Sequence, residues 1–220
     1  MIEEEIKRIH SELPRGVRLC AVSKFHPAEA IREAYAAGQR IFGESRVQEL
    51  LGKMEELPDD IQWHFIGHLQ TNKVRQLIGK TSLIESVDSE RLLELIDRES
   101  EKAGVITRVL MQLHVAKEET KFGFSPEELL EYFAQRKFEN LKATHICGVM
   151  GMASNTEDME RVREDFRLIA ETRKRILETT ADLRGFDIVS MGMSGDWHIA
   201  VEEGSNLVRI GTAIFGERQY

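Results

Sequence analysis

A lysine stands at the end of an apolar run in "LCAVSKFHP", residues 19–27. Leu19, Cys20, Ala21 and Val22 read as a buried strand, and Pro27 with the helical pattern after it marks the strand's stop. A charge at the end of a buried strand is costly unless something uses it. Strand side chains alternate faces, so Cys20, Val22 and Lys24 point the same way. Desolvation lowers a lysine pKa, and a neutral amine is a nucleophile towards aldehydes. The bland alternative is a surface lysine just past the strand.

Two glycine-bearing stretches near the carboxyl end could hold an anion. In "MGMSGDWHIAVEEG", Gly192 and Gly195 flank Ser194, and a short helix is expected from about Asp196 to Gly204. Such a serine offers a hydroxyl beside backbone N–H groups; Ser194 or Asp196 could instead simply cap the helix. In "NLVRIGTAIFG", Arg209 and Gly211 share a strand face and Thr212 follows at the tip. A buried Arg209 needs an acceptor, because guanidinium keeps its charge, so a structural ion pair is the alternative to a ligand contact. An amine nucleophile opposite a phosphate cradle points to a phosphorylated aldehyde.

Weaker candidates accompany these. "FGESRVQE" ends the second strand with Glu44 and Ser45 at the mouth of the expected barrel, suited to polar ligand contacts or helix capping. "WHFIGHLQTNK" carries His64 and His68, better read as pocket lining than as a metal pair, with Lys73 and Arg75 solvated on the next helix. "VAKEETKFGF" reads as a charged loop near the site rim. P-loop, GxGxxG and GxSxG patterns are absent from the sequence.

Eight strand–helix units are expected to position these residues. Strand patterns begin near Leu19, Arg40, Gln62, Leu83, Arg108, Ala143, Asp187 and Leu207, the first five at intervals of 21–25 residues. Helical patterns lie between them: "PAEAIREAYAAG" from Pro27 to Gly38, "SERLLELIDRESEKAG" from Ser89 to Gly104, and a stripe of Met159, Val162, Phe166, Ile169, Arg173 and Ile176. Unbroken alternation without a linker predicts an α/β fold, a single (β/α)8 TIM-type barrel over residues 1–220. Working residues in that fold gather at the carboxyl ends of the strands, with phosphate near the loops after strands seven and eight. The chain stops at Tyr220, too soon for an ordinary eighth helix, and an extra N-terminal helix with Ile2, Ile6, Ile9 and Leu13 on one face is expected to cover the gap.

Composition excludes other classes. A net charge of −8 argues against nucleic-acid binding. No apolar run approaches the roughly 18–20 residues a membrane span requires. The acidic, periodic start "MIEEEIKRIH" is unlike a signal peptide, and Cys20 and Cys147 read as buried reduced thiols, so a cytoplasmic location is expected.

With these residues in hand, the sequence resembles the pyridoxal 5′-phosphate (PLP) homeostasis proteins, the YggS-like family, whose fold is related to the N-terminal barrel domain of alanine racemase. "AVSKFHP", "FGESRVQE", "WHFIGHLQTNK", "ETKFGF", "SMGMSGDW" and "VRIGTAIFG" follow the family's order and spacing through nearly the whole chain. The resemblance implies a Schiff base between Lys24 and PLP, with Ser194, Gly211, Thr212 and neighbouring backbone such as Gly195 around the phosphate, and Arg209 against the pyridine nitrogen. It carries Ser45 to the cofactor as well, although the family motif commonly reads FGEN, and the shorter serine would reach through water.

Enzymes that use PLP as an electron sink generally protonate the ring nitrogen through an acidic partner. A permanently cationic Arg209 disfavours that, and alanine racemase compensates with a tyrosine base from an extra domain. Here Tyr35 and Tyr132 lie on helix patterns and Tyr220 at the terminus, so no second base is expected. The resemblance therefore implies a PLP-holding, homeostatic role with little turnover, apo PLP-dependent enzymes as partners, and a monomer with an open mouth. The alternatives are a slow amino-acid racemase and an aldolase-like barrel that binds a sugar phosphate.

Overall fold

The computed structural model describes residues 1–116 and 122–217. Eight parallel strands close into a barrel in chain order: β1 (Arg18–Val22), β2 (Ile41–Glu44), β3 (Gln62–Phe65), β4 (Leu83–Val87), β5 (Thr107–Leu113), β6 (Thr144–Gly151), β7 (Ile188–Ser190) and β8 (Leu207–Ile210). Each begins within one residue of its expected start. Closure joins β1 to β8, setting Cys20 beside Arg209 and Ala21 beside Ile210.

Alternation divides the strands between two cores. Cys20, Leu83, Leu110, Cys147, Met150, Ile188 and Leu207 fill the lumen, and both cysteines are buried free thiols. Outward-facing Phe42, Phe65, Val109, Val149 and Val208 meet the surrounding helices. Gly148 permits the β6–β7 approach: it has φ +150°, and a Cβ there would lie 1.9 Å from the Ile188 carbonyl oxygen.

The helices are α1 (Ile2–Glu12), α2 (Ala28–Ala36), α3 (Val47–Glu56), α4 (Val74–Leu77), α5 (Glu90–Ala103), α6 (Pro126–Ala134), α7 (Met159–Thr179), α8 (Trp197–Glu202) and α9 (Thr212–Phe215). As its spacing predicts, α5 opens on Ser89, whose hydroxyl accepts from Leu92 N–H, and closes on left-handed Gly104. Val162, Phe166, Ile169 and Ile176 bury one face of α7, but Met159 in its first turn is 44% exposed. No described helix is long and apolar enough to cross a membrane.

The N-terminal helix does occupy the expected gap. It packs against α2 and the four-residue α9 that follows β8, with Ile6 and Ile9 fully buried. His10 Nε2 lies 2.9 Å from Gln39 Oε1, and the Gln39 amide donates to the carbonyls of Leu19 and Ile41. The helix is thereby tied to the floor of β1 and β2. Ile9→Ala should cost about 2–5 kcal/mol in urea denaturation, and deleting residues 1–13 should lower the melting temperature; an unchanged melting temperature would show that the helix does not seal the barrel.

Candidate functional site

The turn that carries Lys24 is held from outside the barrel. Beyond β1 the ladder continues for one bond, Ser23 N–H to Gly43 O at 3.1 Å, and the chain then turns through Lys24 and Phe25. Phe25 has φ +67°, a costly conformation for a bulky residue. Its N–H donates to Glu49 Oε1 at 2.6 Å. Lys53, 8% exposed, donates to Ser23 O, Glu44 Oε1 and Glu49 Oε1 at 2.6–2.8 Å. Ser23 Oγ also donates to Glu44 Oε1 at 2.6 Å. These bonds fix the backbone on both sides of Lys24.

Glu44 therefore does not reach the barrel mouth, contrary to expectation. It shares the outward face of β2 with Phe42 and serves the Lys53 cluster. Burial pushes its carboxyl above the ordinary range despite the attraction of Lys53.

Arg209 has a buried support of its own. Only 4% exposed, it donates from Nη1 to Ser190 Oγ at 2.6 Å and from Nη2 to Gly151 O at 2.9 Å. Ser190 Oγ donates to Glu85 Oε2 at 2.5 Å, and His64 Nδ1 donates to Glu85 Oε1 at 2.6 Å. Arg209 Nη1 itself lies 3.7 Å from Glu85 Oε2. Burial alone would raise the Glu85 carboxyl, but His64, Arg209 and Ser190 together hold it below the ordinary value. The two readings of Arg209 coexist, since it is ion-paired and lines the cavity above.

The third part of the site is the pair of loops after β7 and β8. Ser194 Oγ accepts from the N–H groups of Gly211 and Ala213 at 3.3 and 3.5 Å. Both contacts are longer than the ~2.9 Å of a well-made N–H···O bond, so an anion's oxygen would be a better acceptor. Neither Ser194 nor Asp196 caps α8 through its side chain; Asp196 Oδ1 instead accepts from Met193 N–H at 2.6 Å and braces the loop. Burial raises the Asp196 carboxyl above its ordinary range. A Cβ on Gly211, the residue after β8, would lie a tight 3.0 Å from Val22 O, so glycine suits the close approach to β1 at this point.

Lys24, Ser45, Ser194, Gly195, Arg209, Gly211 and Thr212 all line one cavity of 290 Å³ at the carboxyl ends of the strands. Lys24 is half-buried there, on the face expected from Cys20 and Val22. Sequence reasoning missed His26, Ile66, Met150, Met152 and Met193, which complete the wall. His26 follows a positive-φ residue, where strand alternation no longer predicts direction.

Neither His64 nor His68 lines this cavity, although His68 lines the cavity next to it. His64 is buried beneath Arg209, and His68 is exposed and paired with Asp88 at 2.8 Å. Cys20, His64 and Glu85 bring ligand atoms within 4.8 Å of one another. Burial pushes the Cys20 thiol well up and the Glu85 oxygens are already engaged, which makes a poor metal site. Among the described tyrosines, Tyr35 bonds Asp60 and Tyr132 is buried on α6, so neither lines the cavity. The expected rim loop lies partly outside the described residues, at positions 117–121, as does Tyr220.

A family model described as "Alanine racemase, N-terminal domain" matches residues 1–219. A pyridoxal phosphate homeostasis protein of Aquifex aeolicus is 41% identical over 99% of this chain and 95% of its own length. The structure of PipY from Synechococcus elongatus, with PLP bound, superposes with a TM-score of 0.90 at 37% identity, covering 98% of this chain and 100% of PipY. An alanine racemase of Clostridium difficile shares the fold at a TM-score of 0.77 and 15% identity, with this chain spanning 56% of it.

The Glu85 cluster has a testable pH signature. A carboxyl held below its unfolded value near 4.3 contributes stability at neutral pH that is lost as pH falls through the depressed folded value. Glu85→Gln should cost about 3 kcal/mol at pH 7 and flatten the loss of stability between neutral pH and pH 3. Urea denaturation across that range checks this, and parallel pH profiles for the two proteins would contradict it.

Proposed function

The chain belongs to the family of pyridoxal phosphate homeostasis proteins, and from that membership we propose that its barrel mouth binds PLP, with Lys24 as the covalent anchor. The observation that carries the proposal is the convergence of all seven sequence-predicted residues on one cavity. PLP supplies an aldehyde that a lysine amine can capture as a Schiff base with loss of water, and this linkage is the cofactor's working handle in PLP proteins.

The chain's own groups divide the binding task. Ser194, Gly195, Gly211 and Thr212 would hold the phosphate, and the N–H groups of Gly211 and Ala213, now weakly bonded to Ser194 Oγ, would be available as donors to it. Arg209 faces the ring nitrogen as a permanent donor, steadied by Ser190 and Gly151 O, and so keeps a proton off that nitrogen. The clamped turn aims Lys24, and Ser45 lines the same cavity from the end of the neighbouring strand β2. These features suit holding PLP more than processing a substrate. The protein acts in the cytoplasm, as a monomer, and supplies PLP to apo-enzymes.

A slow racemase-type activity is the competing reading, and His26 on the cavity wall favours it by offering a second ring base beside Lys24. Gel filtration after incubation with PLP should return one cofactor per chain, and Arg209→Ala and Ser194→Ala should each weaken retention. In a steady-state alanine racemisation assay the loaded protein should turn over far below the 1–1,000 per second common among enzymes. Turnover within that range would replace the holding role by the enzymatic one. Failure to retain PLP would return the cavity to a sugar-phosphate reading.

A further inference from the structure

A second cavity of 470 Å³ adjoins the first, with Ser45 in the wall of both. Its lining includes Arg46, at the start of α3, and Lys73, at the end of the 3-10 turn Thr71–Lys73. Neither cation has a hydrogen-bond or ion-pair partner among the described residues; Arg46 only lies over the Phe25 ring, 4.5 Å from its centre. Elsewhere Arg8, Lys53, Arg136 and Arg163 each meet a carboxylate. The one carboxylate on this wall, Glu49, is already engaged, since its Oε1 accepts from Phe25 N–H and Lys53 Nζ. Two cations without counter-ions among the described residues thus share a concave wall in a chain of net charge −8.

We propose that this second cavity is a subsite for a compact oxyanion, the carboxylate or phosphate end of a small polar acid, held by Arg46 and Lys73 beside the Lys24 cavity. Arg46 offers a planar donor fork and Lys73 a point charge, the two modes by which proteins bind carboxylate and phosphate. An occupant would touch the machinery of the first cavity. Arg46 covers the residue after Lys24, and Glu49 holds that residue's N–H. Gln48 and Gln70 add amide groups to the same wall. The inference rests on this wall alone and stands whether or not the first cavity holds PLP.

The test titrates PLP-loaded protein with inorganic phosphate and, separately, with malonate, following backbone amide shifts by NMR. Saturable shifts at Gln48, Gln70 and Lys73 are expected with at least one anion, and the tighter of the two identifies the ligand class. In Arg46→Gln/Lys73→Gln the affinity should fall about tenfold or more, as expected for loss of charge-assisted contacts, while PLP absorbance at Lys24 is retained. Should the protein not take up PLP, the same titration of the unloaded chain tests the subsite by itself. No saturable shift at these positions, shifts confined to Ser194 and Thr212, or an undiminished affinity in the double variant would each overturn the proposal.

Discussion

Parallel pairing of β1 with β8, in the register that puts Cys20 beside Arg209, is the constraint on which the site depends. It joins residues almost two hundred positions apart and makes one mouth of Lys24, Arg209, Gly211 and Thr212. The register leaves little freedom. A slip of one residue would turn Arg209 from the lumen to the helix layer and strand its charge without Ser190, Gly151 O and Glu85. Gly211 lets the two strands approach at the point where the cavity forms. The N-terminal helix supports the closure from outside, through Ile6, Ile9 and the His10–Gln39 contact.

Two buried ionic clusters give the mouth its rigidity, and they act in different places. Inside, Glu85 collects His64, Ser190 and Arg209, so a guanidinium sits at the cavity floor with its donors directed. Outside, Lys53 gathers Glu44, Glu49 and Ser23 O, holding the positive-φ turn after Lys24. Buried pairs of this kind are weak sources of net stability but costly to break, because the remaining partner is left charged and dry. Their value lies in position: one fixes Arg209 and the other fixes the backbone of Lys24. A small cavity lined partly by Met150, Met152 and Met193 lies between them.

Much of this was legible in the sequence, for identifiable reasons. Strands could be read because the first apolar run stops before Pro27 and the helical patterns before the next strands stop at Gly38 and Gly104, and period-two alternation placed Cys20, Val22 and Lys24 on one face. The glycine-bracketed Ser194 and the Arg209–Gly211 pair were visible as local motifs. The same alternation applied to Phe42 would have turned Glu44 outward, a signal that the glutamate's place at a strand end obscured. The Glu85 cluster was beyond reach, since its members come from β3, β4, β7 and β8 and only closure makes them neighbours. His26 was lost because the left-handed Phe25 breaks the alternation just before it. Family resemblance filled part of the gap by assigning roles to Lys24 and Arg209 that periodicity cannot supply.

Lys24 is proposed as the amine that holds PLP in this barrel. The most direct test of that role is borohydride reduction of the PLP-loaded protein, followed by peptide mass mapping, with Lys24→Ala treated in parallel. One reduced pyridoxyl adduct is expected, carried by the peptide containing Lys24, together with a near-visible absorbance band that Lys24→Ala lacks. An adduct on another lysine, such as Lys73, or an undiminished band in Lys24→Ala, would contradict it.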